Sequence, residues 1–317
     1  MSLQIVALLP GQGSQRVGMG KDLYDAFPAA RDAYHAVDDA IDTALSALAF
    51  DGPADELTRT LNAQPALLTH SAAVWTVLRD ALGDKVVAAA GHSLGEFSAY
   101  HLAGMFTLPE AARVVRRRGT LMYEQGVARP GAMAAVLGVL TTSIDEICAR
   151  ATAERGLVVP ANFNSAEQVV ISGEVAGVER AMELCKEAGA KRCLPLPVSG
   201  AFHSPLMAGA VSGLDAALAA AELRPPRIPV AANVNGEFVR DAARARTLLV
   251  EQLTSPVRWT TVMQQLVAAH PHALFVEIGT GAVLTGLARR MAPDIQTATC
   301  GTVAEVESLL QRVAGHD

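Results

Sequence analysis

Gly91-His92-Ser93-Leu94-Gly95 constrains this chain more tightly than any other stretch, because it lies between two segments of different character. Residues 86–90 form a short apolar run of the kind a buried parallel strand shows, and residues 96–103 read as helix. A strand, a tight Gly-x-Ser-x-Gly turn and a helix predict a nucleophile elbow, with Ser93 at the tip of a strained turn and its hydroxyl exposed. The following helix directs its N-terminus at the serine, which favours negative charge developing there.

The rest of the chain must hold, face or feed that serine. Its 317 residues allow two domains or one large α/β unit, and 50% hydrophobic with 18% charged residues is an ordinary globular composition. A net charge of -6 implies no broad basic surface and argues against nucleic acid as partner. Cys148, Cys185, Cys193 and Cys300 have no metal-ligand spacing and suggest reduced thiols in a cytoplasmic protein, so no metal is expected. The N-terminus lacks the basic and long apolar regions of a signal peptide, and no run is long enough to cross a bilayer; no membrane association is expected.

In chain order, residues 4–9 read as a first strand that stops at Pro10, followed by the glycine-rich loop Gly11-Gln12-Gly13-Ser14-Gln15. That loop lacks the Gly-Lys-Ser/Thr ending of a phosphate loop. Helical periods follow over 28–48, 65–82 and 108–125, the last carrying Arg113, Arg116, Arg117 and Arg118. Consecutive helical residues point about 100° apart, so at most one of the three adjacent arginines faces a pocket. From Gly131 the pattern becomes strand 132–137, helix 143–154, strand 157–162, strand 168–172, helix 175–188 and strand 191–196. This β-α-β-β-α-β order is the ferredoxin-like split unit, and breaks at 128–131 and 195–197 mark it as an insertion. The expected division is a catalytic domain of residues 1–128 and 199–317, interrupted by a subdomain of residues 129–198. An α/β pattern resumes with helices at 206–221, 244–253, 283–291 and 303–313 and strands at 228–231 and 273–278. Gly279-Thr280-Gly281 reads as a turn.

Ser93 needs a base to become a nucleophile, and His203, with small and apolar neighbours, is the best-placed of eight histidines. No Asp or Glu adjoins His203, which leaves a backbone carbonyl as a possible orienting acceptor. The Leu94 N–H is the natural first oxyanion donor, and the Gln12 loop is the candidate for the second.

Six separated stretches carry a family resemblance: Pro10-Gly11-Gln12-Gly13-Ser14-Gln15, Gly91-His92-Ser93-Leu94-Gly95-Glu96, Arg118-Gly119, Asn162-Phe163-Asn164-Ser165, 200–207 and Ser255-Pro256-Val257-Arg258-Trp259. Together, over essentially the whole chain, they resemble the malonyl-CoA:acyl carrier protein transacylases. The resemblance implies an α/β-hydrolase-like large domain with a parallel sheet and an inserted ferredoxin-like subdomain. It implies Ser93 as acylated nucleophile, His203 as its base, and Gln12 and Leu94 as backbone oxyanion donors. Arg118 becomes the ligand of the malonyl carboxylate, Gln252 the residue whose backbone carbonyl orients the histidine, and Asn162 a polar pocket residue. Phe202 matches the bulky position that disfavours an α-methyl. The implied partners are malonyl-CoA and acyl carrier protein, with no cofactor and a monomeric enzyme. Carrier proteins are acidic, which makes Arg116, Arg117, Lys191 and Arg192 candidates for docking.

Competing readings are a trans-acting polyketide acyltransferase, a malonate decarboxylase loading subunit, a serine hydrolase and an inactive scaffold. The motifs do not separate the first two from a fatty acid enzyme. Arg118 and the missing acid oppose the hydrolase, and the joint presence of Ser93, His203 and Arg118 opposes the scaffold.

Overall fold

The structure, a computed structural model, describes residues 3–198 and 200–315. Its strands in chain order are β1 (Ile5–Leu9), β2 (Val86–Gly91), β3 (Ala132–Leu137), β4 (Val158–Ser165), β5 (Gln168–Gly173), β6 (Arg192–Pro195), β7 (Val230–Ala231), β8 (Phe238–Val239), β9 (Leu274–Ile278) and β10 (Gln296–Cys300). They form two sheets. The larger, β10-β9-β1-β2-β7-β8, is parallel except for its last pair, and the smaller, β4-β5-β3-β6, is antiparallel throughout.

The parallel register aligns the ends that carry chemistry. Leu9 of β1 is opposite Gly91 of β2, and Ala90 is opposite Ala231 of β7. The loops after these three strands therefore emerge side by side, at the carboxyl edge where open α/β sheets place their ligands. All five residues of β1 are buried, as a strand covered on both faces requires. The smaller sheet has the βαββαβ order and packs the helices Ile144–Arg155 and Val175–Glu187 over a core of aliphatic side chains and thiols. Ser143 and Glu146 form a capping box at the first of these helices, and Thr107 and Glu110 form one at the helix Leu108–Ala128. Ser199, at the expected domain boundary, lies outside the described residues.

Three local differences from the sequence reading have physical causes. The helical period over 28–48 is two helices, Pro28–Ile41 and Leu45–Asp51, because Asp42 turns into the left-handed region at φ 47. The helix expected to start at Pro65 starts at Thr60. Proline removes the N–H that the Leu61 carbonyl would receive, and the Arg116 guanidinium donates to that carbonyl instead, at 2.7 Å. Helix Trp259–Ala269 and strand β10 were not anticipated; β10 is an edge strand in which Gln296, Thr297 and Thr299 leave no apolar run.

Candidate active site

The elbow forms because two glycines let backbone pass backbone. A Cβ on Gly91 would lie 1.9 Å from the Gly95 carbonyl, and one on Gly95 would lie 2.1 Å from the Leu9 carbonyl oxygen. Between them Ser93 sits at φ 52, ψ -105, a conformation costing a residue with a Cβ about 1–3 kcal/mol. Its Oγ lies 2.8 Å from His203 Nε2, so the two residues expected to react are paired. His203, itself at φ 57, is held from behind: its Nδ1 lies 2.8 Å from the Gln252 backbone carbonyl. That contact makes Nδ1 the protonated nitrogen and leaves Nε2 with a lone pair facing the serine. Burial, reinforced by the Arg118 charge, lowers the His203 pKa to about 3 and keeps the imidazole neutral.

Arg118 is the arginine of its helix that turns inward, with only 1% of its surface exposed. Its Nη1 donates to Gln64 Oε1 at 2.6 Å, and its Nη2 donates to Gln252 Oε1 at 2.8 Å and to Ser93 Oγ at 3.1 Å. The guanidinium also lies 5.3 Å from the Phe97 ring centre. Burial lowers its pKa to about 10, with Glu96 opposing the shift, so it remains a cation. Its neighbours differ as helical geometry requires. Arg116 is partly buried and tied to the Leu61 carbonyl and Asn62, while Arg117 is exposed beside Glu124 at 4.0 Å.

Ser93, His203 and Arg118 line one cleft of about 320 Å³, together with Gln12, Leu94, Asn162, Phe202 and Met122. Gln12 and Leu94 follow β1 and β2, and among the described residues neither backbone N–H has a hydrogen-bond partner. Asn162 is buried in β4 and makes a parallel bridge to Val257, where the small sheet meets the large unit. Phe202 is buried beside His203. The structure thus brings Ser93, His203, Gln12, Leu94, Arg118, Asn162 and Phe202 to one cleft and sets Gln252 behind it.

Several supports escaped the sequence reading. Gln64 holds Arg118 from a helix 54 residues away, and Asn164, inside a motif already singled out, lies 2.8 Å from His92 Nε2. Glu96 is fully buried, takes a hydrogen bond from Gln252 Nε2 at 2.6 Å, and has its pKa pushed up to about 7 by burial. Asn233, also fully buried, accepts from the Ser93 N–H. The Gly-x-Ser-x-Gly-Glu spacing was the one available signal for Glu96 and the Asn162–Ser165 motif the one for Asn164; Asn233 depends on strand order and Gln64 on helix packing.

Residues 6–311 match the family model described as the acyl transferase domain. The chain belongs to this acyltransferase family. It is 43% identical over 308 residues to the malonyl CoA-acyl carrier protein transacylase of Bacillus subtilis (strain 168), covering 97% of this chain and 96% of the relative. The crystal structure of acyl-carrier-protein-S-malonyltransferase from Bartonella henselae matches at 44% identity with a TM-score of 0.93, covering 98% of this chain and 100% of that one. A type II PKS acyl-carrier protein in complex with its malonyl-transacylase gives a transacylase match at 40% identity and a TM-score of 0.92, covering 98% and 99%. This chain is an enzyme with the fold of those relatives, and among its described residues no helix is long and apolar enough to cross a membrane.

Proposed function

We propose that the enzyme moves a malonyl group from malonyl-CoA to the phosphopantetheine thiol of acyl carrier protein through an ester on Ser93. The observation that carries this reading is the 3.1 Å separation of Arg118 Nη2 from Ser93 Oγ. A carboxylate clamped on the guanidinium holds the thioester carbon of a short diacid at the serine, whereas an acetyl group leaves the buried cation unmatched.

In the first half-reaction Ser93 Oγ bonds to the thioester carbon while its proton passes to His203 Nε2. The backbone N–H groups of Gln12 and Leu94 receive the oxyanion. The C–S bond then breaks and His203 returns the proton to the CoA sulfur. The second half repeats these steps with the phosphopantetheine thiol giving its proton to His203 and attacking the Ser93 ester. A malonyl carboxylate beside Arg118 also offsets the charge that depresses His203, so the correct substrate strengthens the base. Phe202 disfavours an α-methyl group, and Asn162 lines the acyl site. Exposed Lys191 and Arg192, with Arg117, supply positive charge for an acidic carrier. The cycle works within one chain and calls on no cofactor.

The direct test is intact-mass analysis after brief exposure to malonyl-CoA, followed by addition of phosphopantetheinylated acyl carrier protein. A malonyl adduct on Ser93 that moves to the carrier, absent from Ser93→Ala, is the expected result. An adduct lost to water faster than to the carrier would favour a hydrolase.

A further inference from the structure

Ser93 is held in its strained conformation, and the two glycines only remove obstacles to that conformation. Within the turn, Gly95 N donates to the His92 carbonyl at 2.9 Å and Glu96 N donates to the Ser93 carbonyl at 3.1 Å. Those bonds leave the Ser93 N–H and the Gly91 carbonyl to be satisfied from elsewhere. One side chain satisfies both. Asn233 Oδ1 accepts from the Ser93 N–H at 2.7 Å, and Asn233 Nδ2 donates to the Gly91 carbonyl at 2.7 Å. The two neighbours also fix which way the amide faces, since an N–H must meet its oxygen and a carbonyl its NH₂.

The backbone of Asn233 is equally committed. Its N–H donates to Glu96 Oε2 at 3.1 Å, and its carbonyl accepts from Arg258 N at 2.8 Å. It stands two residues beyond β7, whose pairing with β2 sets it beside the elbow. Gln252 Nε2 reaches the same group, donating to the Ser93 carbonyl at 3.1 Å and to Glu96 Oε2. Asn233 does not line the cleft, so it acts on the reaction only through the elbow.

We infer that Asn233 is the positioning residue of the nucleophile, holding the 91–93 turn from both ends so that Ser93 Oγ stays aimed at His203. The same bond turns the Ser93 N–H away from the cleft and leaves the Leu94 N–H as the elbow's oxyanion donor. A hydrophobic residue at 233 leaves the Ser93 N–H buried without an acceptor, and the turn relaxes at the cost of the Oγ–Nε2 alignment. A misplacement on the order of 1 Å costs about 10²-fold in rate.

This inference rests on Ser93 being the acylated residue, and the experiment separates the two claims. Single-turnover acylation by malonyl-CoA is measured for the parent, Asn233→Leu and Asn233→Asp, beside labelling of Ser93 by a sulfonyl fluoride that needs no CoA site. Both rates should fall by about 10²-fold in Asn233→Leu, with little change in the malonyl-CoA concentration for half-maximal rate. Asn233→Asp keeps an acceptor for the Ser93 N–H and should recover part of the loss. Unchanged rates in Asn233→Leu, or a loss confined to substrate affinity or melting temperature, would overturn the inference. Amide hydrogen exchange at Ser93 in the parent protein supplies a readout independent of the variants' folding. Protection comparable to the core of β2 is expected, and rapid exchange would overturn the clamp. Labelling of Ser93 by the sulfonyl fluoride without any malonyl adduct would instead count against the proposed function.

Discussion

Arg118 and Arg180 are the same residue under opposite treatment. Arg118, in the large unit, is sealed from solvent, has no carboxylate partner within ion-pair distance among the described residues, and is pushed below its ordinary pKa by burial. Arg180, on the small unit, pairs with Glu154 and Glu183 on the outer surface of two helices and has its pKa raised by those carboxylates. The core beneath Arg180 is aliphatic and thiol, whereas the core around Arg118 holds Gln64, Glu96, Asn233 and Gln252. Burying an uncompensated cation costs stability, and exposing it beside carboxylates contributes little in either direction. On the proposed function the large unit sustains its cost where a malonyl carboxylate binds, whereas the small unit pairs Arg180 with carboxylates on its outer surface.

The largest expected consequence concerns the base. Arg118→Met removes a charge that depresses His203, so the acid limb of acylation by acetyl-CoA should move to higher pH than in the parent. An unmoved limb would mean that burial alone sets the base. A smaller effect is expected on stability. Glu96 ionises near 7 when folded and near 4.5 otherwise, so the folded chain retains a proton across that window that the unfolded chain releases. The parent therefore loses stability as pH rises from about 4.5 to 7, by up to about 1.4 kcal/mol per pH unit from this group. Glu96→Gln should lack that component, and denaturant unfolding at several pH values should show its stability relative to the parent growing across the window; a constant difference would contradict the buried-charge account. Smallest of all is Arg180→Met, expected to leave malonyl transfer unchanged and to shift melting only slightly. A substantial loss of transfer there would break the contrast between the two arginines.

How much of this was legible depends on how local each signal is. Gly91, Ser93 and Gly95 encode the elbow within five residues, because the close approaches that demand glycine arise within the turn and from the adjoining strand. The small unit was readable from its order of strands and helices, and capping boxes mark one helix start in it, at Ser143, and one in the large unit, at Thr107. Arg118 was half legible: helical spacing limits the pocket-facing choice to one of three, and the family resemblance picks which. Asn233 and Gln64 were not, since their roles arise only when β7 pairs with β2 and when helix Thr60–Leu82 packs on helix Leu108–Ala128. The start of that first helix was hidden because Pro65 looks like a beginning, and only the distant Arg116 makes it an interior residue.

The central claim is that Arg118 is buried in order to select a diacid. It is tested most directly by the ratio of Ser93 acylation rates with malonyl-CoA and acetyl-CoA, measured in the parent and in Arg118→Met by intact-mass analysis under single-turnover conditions. A buried ion pair broken from one side costs about 3–5 kcal/mol, so the ratio should favour malonyl strongly in the parent and fall by roughly two to four orders of magnitude in the variant. A ratio unchanged by the substitution would contradict the account, leaving Arg118 as a support for Ser93 and placing acyl selection elsewhere in the cleft.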